Sequence, residues 1–227
     1  LGSANSRYSK LSGIDSMALT AEMRSHGIRV LGSTIIGLEH HTPDNIYDEI
    51  EHAVAHDTDF HQFMLYTPVP GTPLYGEVSE QGRMLEDVEL ADIHGQYKFN
   101  FRHPAISRDD SKRFLDYAFE RDFERNGPSL YRICRTSFEG WKRYRNHPDP
   151  RVRARFDREG RSIRSIYSGA LWAMERKLRG ANPDVSRRIG KLLEEIERAL
   201  GPVAALAANV VGPVLLLSLT REERRLA

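Results

Sequence analysis

Hydrophobic and polar positions alternate between helical and strand patterns over the first part of the chain and stay helical after it. Asp15 stands ready to cap a helix through Met17, Leu19, Ala21, Glu22 and Met23, and the run "SHGI" stops it at Gly27. From Ile28 to Ile36 apolar and β-branched residues occupy both faces, which predicts a strand covered on both sides. Thr42, with Pro43 at the first helical position, predicts a helix whose Ile46, Ile50, Ala53 and Val54 share one face. A second strand is expected from about Phe60 to Tyr66, then a loop punctuated by Pro68, Pro70, Gly71 and Pro73.

Helix, strand, helix, strand with short connections is the order of a parallel α/β sheet with right-handed crossovers. Two strands alone leave their outer edges unpaired, so the pattern calls for further strands from elsewhere. From about Arg108 the chain reads as long charged helices. Phe114, Leu115, Ala118 and Phe119 form one apolar face, and Phe138, Trp141 and Tyr144 another after Gly127-Pro128. "NHPDP" marks a break at residues 146–150. Helical spacing resumes through Val152, Phe156, Ile163, Ile166, Tyr167, Ala170, Leu171 and Met174, with Gly160 weakening its middle. Ile189, Leu192, Leu193 and Ile196 fill the next helix, before an apolar tract from Pro202 to Leu219.

Charge divides the chain at nearly the same place. Residues 1–100 hold 15 Asp and Glu against 6 Lys and Arg, whereas residues 101–227 hold 17 against 27, so a net charge of +1 hides an acidic and a basic half. An apolar content of 40% excludes an extended disordered chain. Cys134 is the sole cysteine, which excludes an intrachain disulfide and fits a reducing, cytoplasmic compartment. One thiolate cannot hold an iron–sulfur cluster.

Ligands of parallel α/β proteins bind at the carboxyl ends of strands, where loops gather around helix N-termini. Gly37, Leu38, Glu39, His40, His41 and Thr42 occupy that end of the first strand, and Tyr66, Thr67, Pro68 and Val69 that of the second. Gly37 offers close backbone approach, and Glu39 accepts hydrogen bonds from an amine or a hydroxyl.

The segments "GIRVLGSTIIGLEHHTPDNI", "DFHQFMLYTPVPGTPLY" and "SEQGRM" together resemble the later strands of radical S-adenosylmethionine enzymes, most closely the members with a cobalamin-binding domain. The likeness runs from about Tyr8 to Met84. It implies the last strands of an incomplete (β/α) barrel of that type over residues 1–102, followed by an α-helical C-terminal domain over residues 103–227. The resemblance further implies that Ile35 and Gly37 pack on the adenine of S-adenosylmethionine. Glu39 and His40 would make polar contacts with cofactor or substrate, and Tyr66 and Thr67 would meet the adenine edge. Ser33 stands where the family pattern has its first glycine, and His40 where it has glutamate, with Glu39 one place earlier. The family's C-x-x-x-C-x-x-C triplet is absent from this sequence. The chain therefore reads as the C-terminal portion of a longer enzyme, inert alone, whose missing part binds a [4Fe–4S] cluster and cobalamin. The expected reaction is methyl transfer or a radical rearrangement on a hydrophobic, anionic or lipid-like substrate.

Other features are read more plainly. His40, His41, His52, His56 and His61 lie close in sequence but form no "HExxH" pattern, and solvated histidines are the expected state. Between Arg132 and Arg164 there are 11 Lys and Arg and 4 Asp and Glu, with Trp141 and Tyr144 interleaved. Nucleic-acid binding would use Lys142, Arg143, Arg145, Arg151, Arg153 and Arg155 on phosphates, but peripheral contact with anionic lipid is preferred. The tract "PVAALAANVVGPVLLLSL", interrupted by Asn209, Gly212 and Pro213, is expected to be a buried or interfacial helix rather than a membrane span. A rival class to the enzyme is a helical adaptor that binds anionic membrane or nucleic acid through its basic helices.

Overall fold

The computed structural model describes residues 13–226, which form two compact units. One runs from Leu31 to Phe123; the other joins the described residues up to Val30 with those from Glu124 onward. The start of the likeness, from Tyr8, lies outside the described residues. The described chain is mostly helical with a small parallel sheet, an α/β arrangement with a helical unit.

In the α/β unit, β1 (Leu31–Ile36) pairs in parallel with β2 (Phe60–Leu65), Leu31 opposite Phe60 and Ile36 opposite Leu65. The crossover is α2 (Ile46–Ala55), which buries Ile46, Ile50, Ala53 and Val54 as its apolar spacing requires. The helix begins three residues later than Pro43 suggests, because a turn intervenes: Asn45 and Ile46 both donate their N–H to the Thr42 carbonyl. The Pro-rich loop contains a helix, α3 (Pro73–Glu80), whose Thr72 hydroxyl accepts from Tyr75 N at 3.3 Å ahead of Pro73. Then α4 (Arg108–Asn126) lays Phe114, Leu115 and Ala118 into one core with Ile36, Ile50, Phe63 and Phe99.

The expectation of a strand covered on both sides fails. Ile36 and Phe63 are buried, but Leu31, Ser33 and Ile35 on the other face of β1 are exposed, Ile35 to 45%. Successive side chains of a strand point to opposite faces. Both α2 and α4 contribute to the core on the Ile36–Phe63 face, held to each other by the Glu51–Arg121 ion pair and by Tyr47 against Phe114 and Tyr117.

In the helical unit, α1 (Ser16–Ser25) is capped by Asp15, which accepts from Ala18 N at 2.9 Å. It packs on α5 (Ser129–Tyr144), so the helical unit draws in residues that precede β1. The approach is close: a Cβ on Gly140 would lie 2.7 Å from Gly27 Cα. Next comes α6 (Pro150–Ser162), which continues through Gly160, where the Trp141 indole occupies the space a side chain would take. A π-helical turn over Ile163–Tyr167 leads into α7 (Ser168–Leu178), with Ser168 Oγ donating to the Ile163 carbonyl at 2.7 Å. The unit ends with α8 (Pro183–Leu200) and α9 (Pro202–Leu226). Asn209, Gly212 and Pro213 do not interrupt α9. The core comprises Cys134, Phe138, Trp141, Ile163, Leu171, Ile189 and Ile196 among others.

The aromatics of the basic stretch belong to this core, and several of its cations are used locally. Arg145 sits 4.8 Å from the Trp141 ring centroid, Lys142 4.9 Å from that of Phe138, and Arg153 donates to the carbonyls of His147 and Pro148. Gly140→Ala is expected to lower unfolding free energy by about 1–3 kcal/mol through overpacking against Gly27. Gly190→Ala on α8, whose added Cβ has only Glu175 Cγ near it at 3.7 Å, should instead raise it by about 0.5–1 kcal/mol. Urea denaturation of both variants checks the pair.

Candidate functional site

The carboxyl ends of β1 and β2 are adjacent because the strands are parallel and in register. Tyr66 N donates to the Ile36 carbonyl at 2.8 Å and continues the pairing one residue beyond the strands. Two loops therefore leave from the same end of the sheet: residues 37–45 after β1 and residues 66–72 after β2. A third segment, residues 99–103, closes against them. Asn100 Nδ2 donates to the Pro68 carbonyl at 2.7 Å, and the His103 ring bonds the Leu38 carbonyl at 3.2 Å.

The loop after β1 is shaped by His41. Its Nδ1 accepts from Gly37 N at 3.0 Å and from Leu38 N at 3.2 Å, so the ring occupies the pair of backbone donors that this turn aims inward. His41 is 3% exposed. Burial, with smaller contributions from His40 and His103 as like charges, lowers its pKa to about 4. The neutral ring carries its proton on Nε2, since Nδ1 faces two donors. Burial likewise lowers the pKa of His103. Its Nδ1 accepts from Ala105 N and Ile106 N, which leaves Nε2 to donate to Leu38.

Gly37 has φ 81°, a left-handed value that suits glycine. The space a side chain would take there belongs to Phe99, whose Cζ would lie 2.2 Å from an added Cβ. The room is thus filled from within the protein. Glu39 and His40 are exposed on the same loop, and the His40 ring meets His41 edge-on at 4.5 Å. Ile35 lies on the exposed face of the sheet, one residue before the buried Ile36. Tyr66 and Thr67 are half-buried, with the Thr67 hydroxyl donating to the Leu65 carbonyl at 2.8 Å. The geometry brings all six sequence-predicted residues to one end of the sheet, but divides them between surface and packing.

Asn100 was not singled out by sequence. It is 1% exposed, and its Oδ1 is a buried acceptor without a hydrogen-bond partner. An unmet amide oxygen costs about 1–3 kcal/mol unless a donor from water or a ligand reaches it. The signal available was the alternation Phe99, Phe101, His103, a period-two pattern in "KFNFRH" that buries both phenylalanines. A short antiparallel bridge, Met84 to Phe101, holds the segment, with Leu85 N donating to the Asn100 carbonyl.

The histidines gather no metal site: among the described residues no group of three or more His, Cys, Asp or Glu could hold an ion. The expectation of solvated histidines fails at His41 and at His61. The His61 side chain is 2% exposed, bonds Thr34 Oγ1 at 2.9 Å and stacks on Phe63. Cys134 is buried in α5, where desolvation pushes its thiol up to about 12.

His41 binds protons more weakly in the folded chain than at its ordinary value of 6.5, so the unfolded state takes up the proton first as pH falls. Its contribution is complete above pH 6.5 and is lost as pH descends to about 4, in total about 3 kcal/mol. NMR titration of the ring should give the low pKa directly. In His41→Asn, whose amide oxygen can accept the same N–H groups without titrating, stability between those pH values should fall less than in the unmodified chain.

Comparison with known proteins found no matching family model, no matching curated protein and no matching solved structure.

Proposed function

We propose that this chain is the C-terminal part of a radical S-adenosylmethionine enzyme that uses cobalamin, acting by methyl transfer or radical rearrangement on a hydrophobic or anionic substrate. The observation that carries the reading is the one-sided sheet. Helices contribute to the core on the Ile36–Phe63 face of the β1–β2 pair, while Leu31, Ser33, Ile35 and Phe60 stand exposed on the other. In a barrel of β/α units the helices lie outside and the opposite face looks into the lumen. Burying a large apolar side chain is worth about 1.5–3 kcal/mol, so this row favours a covering that further strands would supply.

The residues at the strand ends suit an adenosyl group. Ile35 offers an exposed apolar surface beside the loops, and Asn100 Oδ1 offers an unmet acceptor for an N–H donor such as the exocyclic amine of adenine. Glu39 and His40 supply exposed polar groups for ribose hydroxyls or substrate. Gly37 acts through Phe99, and His41 orients the loop, so both are positioning residues in this reading. The cluster does not fit residues of this chain: Cys134 is solitary and protonated within α5, and the described residues hold no group of ligands. The cluster and cobalamin are therefore assigned to a preceding portion, and no step through them is given to these residues.

The test begins with the upstream coding sequence, which should contain a C-x-x-x-C-x-x-C triplet; its absence would sink the reading. Reconstituted anaerobically with iron and sulfide, the longer protein should release 5′-deoxyadenosine from S-adenosylmethionine under a strong reductant, and this chain alone should not. In this chain Ile35→Asp, at an exposed position, should keep the fold; in the longer protein it should weaken S-adenosylmethionine binding about tenfold, roughly 1.4 kcal/mol.

A further inference from the structure

The last helix is built inside out for a water-soluble bundle. Its inward face carries Ala204, Ala208 and Gly212 at successive intervals of four, all buried. A Cβ on Gly212 would lie 2.6 Å from Trp172 on α7, and one on Gly169 of α7 would lie 2.8 Å from Val211. The two helices approach closely, each glycine receiving a side chain of the other helix. The outward face carries the larger apolar residues Val203, Leu206, Val210, Val214 and Leu217 at spacings of three and four, each more than half exposed, with Leu206 at 64%. A water-soluble helix places these types the other way round. Small residues facing a neighbouring helix and large aliphatic ones facing outward is the arrangement of helices whose outer surroundings are lipid.

Charge says which occupant suits this stripe. Residues 199–220 contain no ionisable side chain. The elements packed on α9 are net positive: across residues 161–179, Arg161, Arg164, Arg176, Lys177 and Arg179 stand against Glu175 alone, while α8 is balanced, with Arg187, Arg188, Lys191 and Arg198 against Asp184, Glu194, Glu195 and Glu197. Arg176 and Arg179 both pair with that Glu175. From residue 124 to the end there are 22 Lys and Arg against 12 Asp and Glu. A second copy packed stripe to stripe would set two positive units against each other, whereas anionic headgroups would be attracted at about 1 kcal/mol per basic residue near the surface. The stripe also lacks the aromatic and arginine anchors that concentrate at the centre of protein interfaces.

We infer that the Val203–Leu217 face of α9 docks this unit on the surface of an anionic lipid bilayer. The helix lies in the interface rather than across it. Its other face is committed to α7 along Gly169 and Trp172, and a span would drag Glu175 and Arg176 of α7 into hydrocarbon. This docking is independent of the adenosyl site, which lies in the α/β unit.

The test is sedimentation of the full chain with vesicles of phosphatidylcholine alone or mixed with phosphatidylserine. Binding should be at least about tenfold stronger to the mixed vesicles and weaken as salt rises. Leu206→Glu with Val210→Glu should reduce it by a further order of magnitude, with thermal unfolding unchanged because both side chains are exposed. Leu90→Glu, at an exposed leucine of the α/β unit, should bind as the unmodified chain does. Failure to sediment with phosphatidylserine vesicles would overturn the inference, and so would binding indifferent to the α9 substitutions. Sedimentation velocity showing a dimer that those substitutions abolish would assign the stripe to a second copy and overturn it too.

Discussion

Parallel pairing of β1 with β2 is the constraint on which the α/β unit depends. Because Ile36 sits opposite Leu65, both chains turn away from the sheet at one level, and the loops carrying Glu39, His40, Tyr66 and Thr67 are neighbours by necessity. The same pairing sorts the strands' side chains by parity. Gly32, Thr34 and Ile36 share a face with His61, Phe63 and Leu65, under α2 and α4; Leu31, Ser33 and Ile35 share the other with Phe60, Gln62 and Met64. An exposed aliphatic row beside a cluster of loops is therefore one consequence of register, not two separate features.

Polar groups at that end do opposite kinds of work. His41 is a buried, neutral acceptor that satisfies two backbone donors of the turn, and His103 satisfies a carbonyl of the same turn from outside. Such saturation makes a loop rigid and gives it a defined surface. Asn100 stands apart, because only its amide nitrogen is engaged while its oxygen is buried and unmet. Positions that hold the loop are spent on structure, which leaves Ile35, Glu39 and His40 exposed and this one buried acceptor unmet.

The helical unit follows another logic. Glycines set how closely its helices meet, Gly27 against Gly140, Gly160 against Trp141 and Gly169 against Val211. Close approach fills the space with backbone and small side chains, and the larger aliphatic residues of α9 are displaced outward. The exposed stripe is the complement of tight internal packing.

Local signals in the chain determined the elements. Asp15 before a helix and the β-branched residues before Gly37 are readable because caps and strand propensities act within a few residues, whereas Thr72 before Pro73 and Asp149 before Pro150 start helices where the sequence reads as a loop and a break. Parallel order was legible too, since a ten-residue helix between two short strands permits little else. Tertiary structure alone decided which face of β1 is covered, since Ile35 and Ile36 are the same residue type and differ only in what packs on them. It also decided that His41 is a buried acceptor while His40 is exposed, that Gly37 yields to Phe99, and that α1 joins the helical unit. Each of these rests on a contact or a burial set by packing, and neighbours in space leave no mark on the local pattern.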